Sequence, residues 1–189
     1  MASIAIVTGS PGSGKSTLLK GIKGYKIANI GDLMLKNALS RKYVDNRDKL
    51  RFLSTKKTDF LRELAFKDVK AMKGNVIIDT HASVEQNGRF VPGLPRSSMM
   101  LLGKGAVKAL IYVYAPTKEV LARRRSDPTR KREKEPAEII DIQHAMDIAS
   151  IAQYSSDLNI PMYIVINRQG EIKKSTALLD SYLKDAFGR

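Results

Sequence analysis

The residues best equipped for chemistry come in one run. Gly9, Ser10, Pro11, Gly12, Ser13, Gly14, Lys15 and Ser16 reproduce the spacing GxxxxGK[ST], with Thr17 directly after it. Glycines at 9, 12 and 14 permit turns that a Cβ would block, so that successive N–H groups converge on phosphate oxygens at the positive end of a helix. Lys15 is then placed to reach the β- and γ-phosphates, and the Ser16 hydroxyl to ligate Mg²⁺. The context agrees: Ala2 to Thr8 reads as a buried strand, and a helical pattern opens at Ser16. This combination is expected to bind a nucleoside triphosphate.

A second signal, a carboxylate, supports the first. Val76-Ile77-Ile78-Asp79 is an apolar strand ending in an acid. In open α/β sheets ligands gather at the carboxyl ends of strands, so Asp79 is expected beside the phosphate loop, holding the metal directly or through water. His81 follows two residues on, and a lone histidine there reads first as a hydrogen-bonded structural residue. Downstream, 123–133 is dense in arginine and broken by Pro128. Arginines so placed neutralise charge in phosphoryl transfer, and Arg130 and Arg132 are the candidates for that work.

The elements that must position these groups alternate. Strands are expected at 2–8, 25–30, 76–79, 109–115 and 161–167. Helices are expected after Ser16, from Asp32 to Ser40 with Asp32 as cap or first-turn acid, over 136–158 and over 176–187. Residues 47–73 read as one long helical region, because Leu50, Leu53, Phe60, Leu61, Leu64, Val69 and Met72 recur at three- and four-residue spacing before Gly74. Residues 81–96 show neither period and hold Gly88, Pro92, Gly93 and Pro95, so a long functional loop is expected, with Arg89 and Arg96 available to a second substrate. The alternation predicts a parallel sheet with right-handed crossovers and helices on both faces.

Bulk composition narrows the classes. The 189 residues make one domain, 1–189, without repeats. No apolar run approaches a membrane span and no signal peptide opens the chain, so a cytoplasmic protein with no membrane partner is expected. Cysteine is absent, which excludes disulfides and thiolate chemistry. The net charge of +14 suits nucleic acid, but equally two polyanionic nucleotides in a basic cleft. With aromatics at 6% and no basic–aromatic interleaving, nucleic acid is not expected as the primary partner. No Asn-Lys-x-Asp segment marks a GTPase, and the length suits a small-molecule kinase better than a large motor.

A set of anchors spread over nearly the whole chain resembles the archaeal-type adenylate kinases. It comprises Gly9 to Thr17, Gly31-Asp32, Arg47-Asp48-Lys49-Leu50-Arg51, Asp79-Thr80-His81-Ala82, Gly88 to Pro95, the arginine-rich segment and Asn167-Arg168-Gln169-Gly170. The resemblance implies a P-loop nucleoside monophosphate kinase-like α/β fold with a five-stranded parallel sheet, a helical acceptor-binding region at 31–73 and a short lid at 123–133. It implies interconversion of ATP and AMP with two ADP, Mg²⁺ as cofactor, and a homo-oligomer, a trimer in some members. Asp32 and the Arg47 to Arg51 segment are implicated in acceptor binding, Gly88 to Pro95, including Pro92 and Gly93, in lining the acceptor base, and Asn167 to Gly170 in flanking the donor adenine. Two departures from bacterial and eukaryotic relatives stand out: Leu35 replaces an arginine after Gly-Asp, and Asp79-Thr80-His81 replaces Asp-Gly-x-Pro-Arg. The acceptor phosphate must then be held by other arginines, with Arg51 and Arg96 as candidates. Two alternatives remain from sequence: a kinase for another nucleoside monophosphate, and a nucleotide-switched RNA-binding or assembly ATPase.

Overall fold

The computed structural model describes residues 2–86, 88–103, 105–126 and 136–188, excluding the side chains of Asp48, Arg51 and Gln86. A five-stranded, wholly parallel sheet runs in the order β2 (Lys26–Asn29), β3 (Gly74–Asp79), β1 (Ala2–Thr8), β6 (Val107–Tyr114), β7 (Met162–Ile166). The three central strands are buried on both faces, which is why they read as unbroken apolar runs instead of alternating ones. Ile4, Ile6, Val76, Ile78, Leu110 and Tyr112 enter one core, and Ala5, Val7, Ile77, Ile111 and Val113 enter the other.

Each core is sealed by helices. The first is closed by α3 (Thr55–Lys70) through Ala65, Phe66 and Val69, by α4 (Arg96–Leu102) through Met99 and Leu102, and by α6 (Ala137–Leu158) through Ile151. The second is closed by α1 (Lys15–Lys20) through Leu18 and Leu19, and by α7 (Ile172–Phe187) through Leu179 and Leu183. Helix α2 (Ile30–Ser40) packs on α3 in a satellite cluster of Ala38, Val44 and Leu61, and α5 (Thr117–Arg125) packs on α6 through Val120 and Ile140.

Two expectations from sequence are corrected and a third is narrowed. The region 47–73 is not one helix: a 3-10 helix, Arg47–Phe52, ends at extended Leu53, and Ser54 caps α3 by accepting a hydrogen bond from Lys57 N at 3.5 Å. The apolar spacing runs across this break because both pieces pack on the same satellite cluster. Residues 81–96 are not an irregular loop: β4 (Ser83–Gln86) and β5 (Arg89–Pro92) pair as an antiparallel hairpin, and α4 begins at Arg96. The Asn87-Gly88 dipeptide was the available sign of a tight hairpin, and strands of four residues are too short for a period to show. At 30–32 the cap is Asn29, whose Oδ1 accepts from Asp32 N at 3.0 Å, leaving Asp32 as the first-turn acid.

Candidate active site

The sheet register assembles the centre of the site. Val7 and Asn29 both pair with Asp79, so the carboxyl ends of β1, β2 and β3 lie side by side, and Thr80 N donates to Val7 O at 3.2 Å. The phosphate loop leaves β1 at that edge and turns into α1, with Ser13 N bonded to Ser10 O and Thr17 N to Gly14 O, each at 3.0 Å. Gly14 caps α1 with φ 86°, and a Cβ there would collide with the Asn167 side-chain amide. A substitution would therefore meet both a left-handed backbone and a steric block.

Lys15 and Asp79 form a buried ion pair, and Asn29 Nδ2 donates to the other Asp79 oxygen at 2.7 Å. Burial pulls the Lys15 pKa down from 10.5 to about 8, low for a lysine but still cationic at neutral pH. Asn29 thus holds the carboxylate with one end of its amide and caps α2 with the other. Sequence reasoning missed it, although an Asn closing a strand just before a helix is a recognisable cap signal. His81 Nδ1 lies 2.8 Å from Gly9 O, which ties β3's exit to the loop's first residue and fits the structural role expected of it.

The loop is gripped from its far side. Asn167 Nδ2 donates to Ser13 O at 2.8 Å, while Asn167 N donates to Tyr114 O at 2.8 Å. Arg123 reaches Gly12 O, Ser13 O and Asn167 O at 3.2–3.4 Å and pairs with Glu119, and Arg124 Nε donates to Pro11 O at 2.8 Å. These arginines belong to the last turn of α5, so the start of the segment 123–133 is helical. Arg130 and Arg132 lie outside the described residues. Gly170 lies exposed in the turn between Asn167 and α7, with φ 82°.

A cleft of about 570 Å³ opens from the phosphate loop toward α2. It is lined by Ser16, Asn29, Asp32, Arg47 and Asp79, with Leu33 and Met72 as apolar walls. Arg47 pairs with Asp32, and both are well exposed. Gly31 makes room for this guanidinium, because a Cβ there would sit 2.8 Å from Arg47 Nη2. Ser16, Asp79, Asp32 and Arg47, singled out from separate stretches of sequence, therefore share one space. The hairpin residues stand apart from it: Arg89 and Pro92 are exposed on β5, Gly93 N folds back onto Ala82 O at 2.8 Å, and exposed Arg96 opens α4. Arg51 lies in the 3-10 helix, its side chain outside the described residues.

Beneath the loop is a polar cluster that sequence reasoning did not find: Ser10, Ser83, Tyr112, Gln143, His144 and Asp147, all buried. The one available sign was three polar residues, Gln143, His144 and Asp147, within the buried stripe of α6. Burial raises the Asp147 pKa to about 6 and lowers that of His144, while the Tyr112 hydroxyl is pushed above its usual range.

A parallel sheet of this order with a phosphate loop at the carboxyl end of its central strand defines the P-loop kinase class. The fold agrees with the shikimate kinase of Acinetobacter baumannii solved with shikimate, at TM-score 0.59 and 15% identity over 98% of this chain and 95% of that one. The AAA domain family model matches residues 8–141. The adenylate kinase of Methanothermobacter thermautotrophicus is 30% identical over 96% of this chain and 99% of its own length, and that of Thermoplasma acidophilum 33% identical over 90% and 93%. The chain belongs to the archaeal adenylate kinase family and to the AAA domain family. It is an enzyme of the nucleoside monophosphate kinase class. Among the described residues no helix is long and apolar enough to cross a membrane.

Proposed function

We propose that this chain transfers the γ-phosphoryl group of ATP to AMP, reversibly, giving two ADP. The observation that carries this is the shared cleft: the Ser16 and Asp79 end, where a triphosphate would present its terminal phosphate, is continuous with Asp32 and Arg47, which the family resemblance assigns to the acceptor. In-line transfer needs the two nucleotides end to end, which one continuous cleft permits, with water excluded once the cleft closes on them.

The amides of Gly9 to Thr17 cradle the donor phosphates, and Lys15 exchanges the Asp79 carboxylate for phosphoryl oxygens. An oxygen of the AMP phosphate, already ionised at neutral pH, bonds to the γ-phosphorus as the bond to the β–γ bridging oxygen breaks. No protein nucleophile or general base is needed. Arg130 and Arg132, assigned from sequence position, neutralise the moving group; Arg47, which lines the cleft, is the cation for the acceptor phosphate, and Arg51 and Arg96 are further candidates from sequence position alone. Asn167 to Gly170 flank the donor adenine; Arg89, Pro92 and Gly93 belong to the segment assigned to the acceptor base.

The donor set fits Mg²⁺. Ser16 and Asp79 offer hard oxygens in the same cleft, and no group of three or more His, Cys, Asp or Glu side chains among the described residues forms a fuller cage. That suits an ion that keeps several waters and takes its other ligands from phosphates. When bound, Mg²⁺ supplies neutralisation of the phosphate charge. A coupled assay with ATP and each nucleoside monophosphate tests the reading: rapid ADP formation with AMP is expected. Slow phosphate release stimulated by RNA, with no ADP formed from AMP, would overturn it.

A further inference from the structure

The polar cluster under the phosphate loop joins two parts of the chain that have separate tasks in the function proposed above. We propose that Asp147 is a positioning residue that couples the acceptor-side hairpin, through Ser83, to the phosphate loop, through Ser10. The inference rests on the hairpin's assignment to the acceptor.

Asp147 lies on α6 and is 0% exposed. Its Oδ1 accepts from Ser83 Oγ, the first residue of β4, at 2.5 Å. Its Oδ2 accepts from Ser10 Oγ and from the Tyr112 hydroxyl, each at 3.4 Å. Ser10 Oγ lies 3.1 Å from the Tyr112 hydroxyl and 3.3 Å from His144 Nδ1, and the last two lie 2.7 Å apart. Gln143 Nε2, from the same face of α6, donates to Ser83 O at 3.4 Å. Both ends of the hairpin's base are thus held, for Ser83 pairs with Pro92 across it and Ala82 O receives Gly93 N.

A carboxylate in this place is an expensive structural choice. No cation among the described residues pairs with it, and hydroxyls are its donors. Burying a charge this way costs stability that an apolar side chain of similar volume would not, so a purely structural role is poorly served by it. What a carboxylate can do, and an apolar residue cannot, is accept from several donors on different elements and fix their relative placement. The Ser83 bond is short and the Ser10 contacts are longer, so loss of Asp147 loosens the hairpin first and the phosphate loop second. None of these side chains lines the cleft, so the effect reaches substrate only through the elements they hold.

The test compares the wild type with Asp147→Ala, Ser83→Ala and Ser83→Thr, the last keeping the hydroxyl. Expected for both alanine variants are an AMP KM raised about tenfold, the scale of one lost hydrogen bond to a charged group, and an ATP KM changed less than twofold. Ser83→Thr restores the AMP KM. Equal rises in both KM values, or unchanged values in Ser83→Ala, would overturn the proposal; Ser83→Ala serves even where Asp147→Ala fails to fold. Amide hydrogen exchange on the unliganded protein gives a readout free of substrate. Faster exchange in both 9–13 and 83–92 on removing the Asp147–Ser83 bond is expected, and a change confined to α6 counts against the coupling. A wild type that phosphorylates a monophosphate other than AMP refutes the adenylate reading alone, since the same KM split then applies to that acceptor.

Discussion

The two ends of the cleft differ in how they are built. At the phosphate-loop end, Lys15 and Asp79 have side chains only 6% exposed, and the loop's carbonyls are held by Asn167, Arg123 and Arg124. At the α2 end, Arg47 and Asp32 are 48% and 64% exposed, on a short 3-10 helix and a helix's first turn. An exposed pair of this kind contributes between nothing and about 1 kcal/mol, whereas breaking a buried one strands a charge. In the function proposed here, the donor end is then preorganised before nucleotide arrives, and the acceptor end has slack to close on its ligand. Preorganised charge is what stabilises a transition state, and closure is what excludes water.

Breaking the rigid end should have the largest effect. Lys15→Met is expected to lower turnover on the order of a hundredfold or more, the scale for one preorganised charge-stabilising donor. Because it also strands the Asp79 carboxylate, thermal melts of the single variant and of the double variant with Asp79→Asn separate instability from catalysis. Asp79→Asn alone is expected to cost about tenfold or more and to shift the Mg²⁺ dependence upward. Superimposable Mg²⁺ titrations would leave Asp79 as the partner of Lys15 and Asn29 only.

A pH titration sharpens the same contrast. Lys15 has its pKa lowered to about 8 in the free protein, and bound phosphates favour the cation. Above pH 8, ATP binding must then take up a proton, and affinity should fall with rising pH, approaching tenfold per unit. Below about pH 7 this group contributes no slope. Calorimetry in two buffers of different ionisation enthalpy measures the uptake, and the variant Lys15→Met should show none. The open end gives the smallest effect. Arg47→Ala should change stability by no more than about 0.5 kcal/mol, raise the AMP KM several-fold and leave the ATP KM unaltered. Equal changes in both KM values would show that Arg47 serves the whole cleft.

What the sequence disclosed follows the same division. The phosphate loop, the strand ending in Asp79 and the alternation of strands with helices are local patterns, since glycine spacing and continuous apolar runs each report on a few neighbouring residues. The hairpin at 83–92 escaped because its strands are four residues long, and the break at Leu53 escaped because packing on one cluster masks it. Ser54 is followed at its third position by Lys57, not by the Glu or Gln that would have signalled a capping box. The Ser10–Asp147 link spans 137 positions, and no period or motif registers a contact that only the packing of α6 beneath the loop creates.

The central claim is that one cleft holds both nucleotides at once. The most direct measurement uses a bisubstrate analogue, two adenosines joined through five phosphates, titrated calorimetrically and tested as an inhibitor. One molecule bound per chain, with inhibition competitive against both ATP and AMP, is the predicted result. Inhibition competitive with ATP alone would contradict the account.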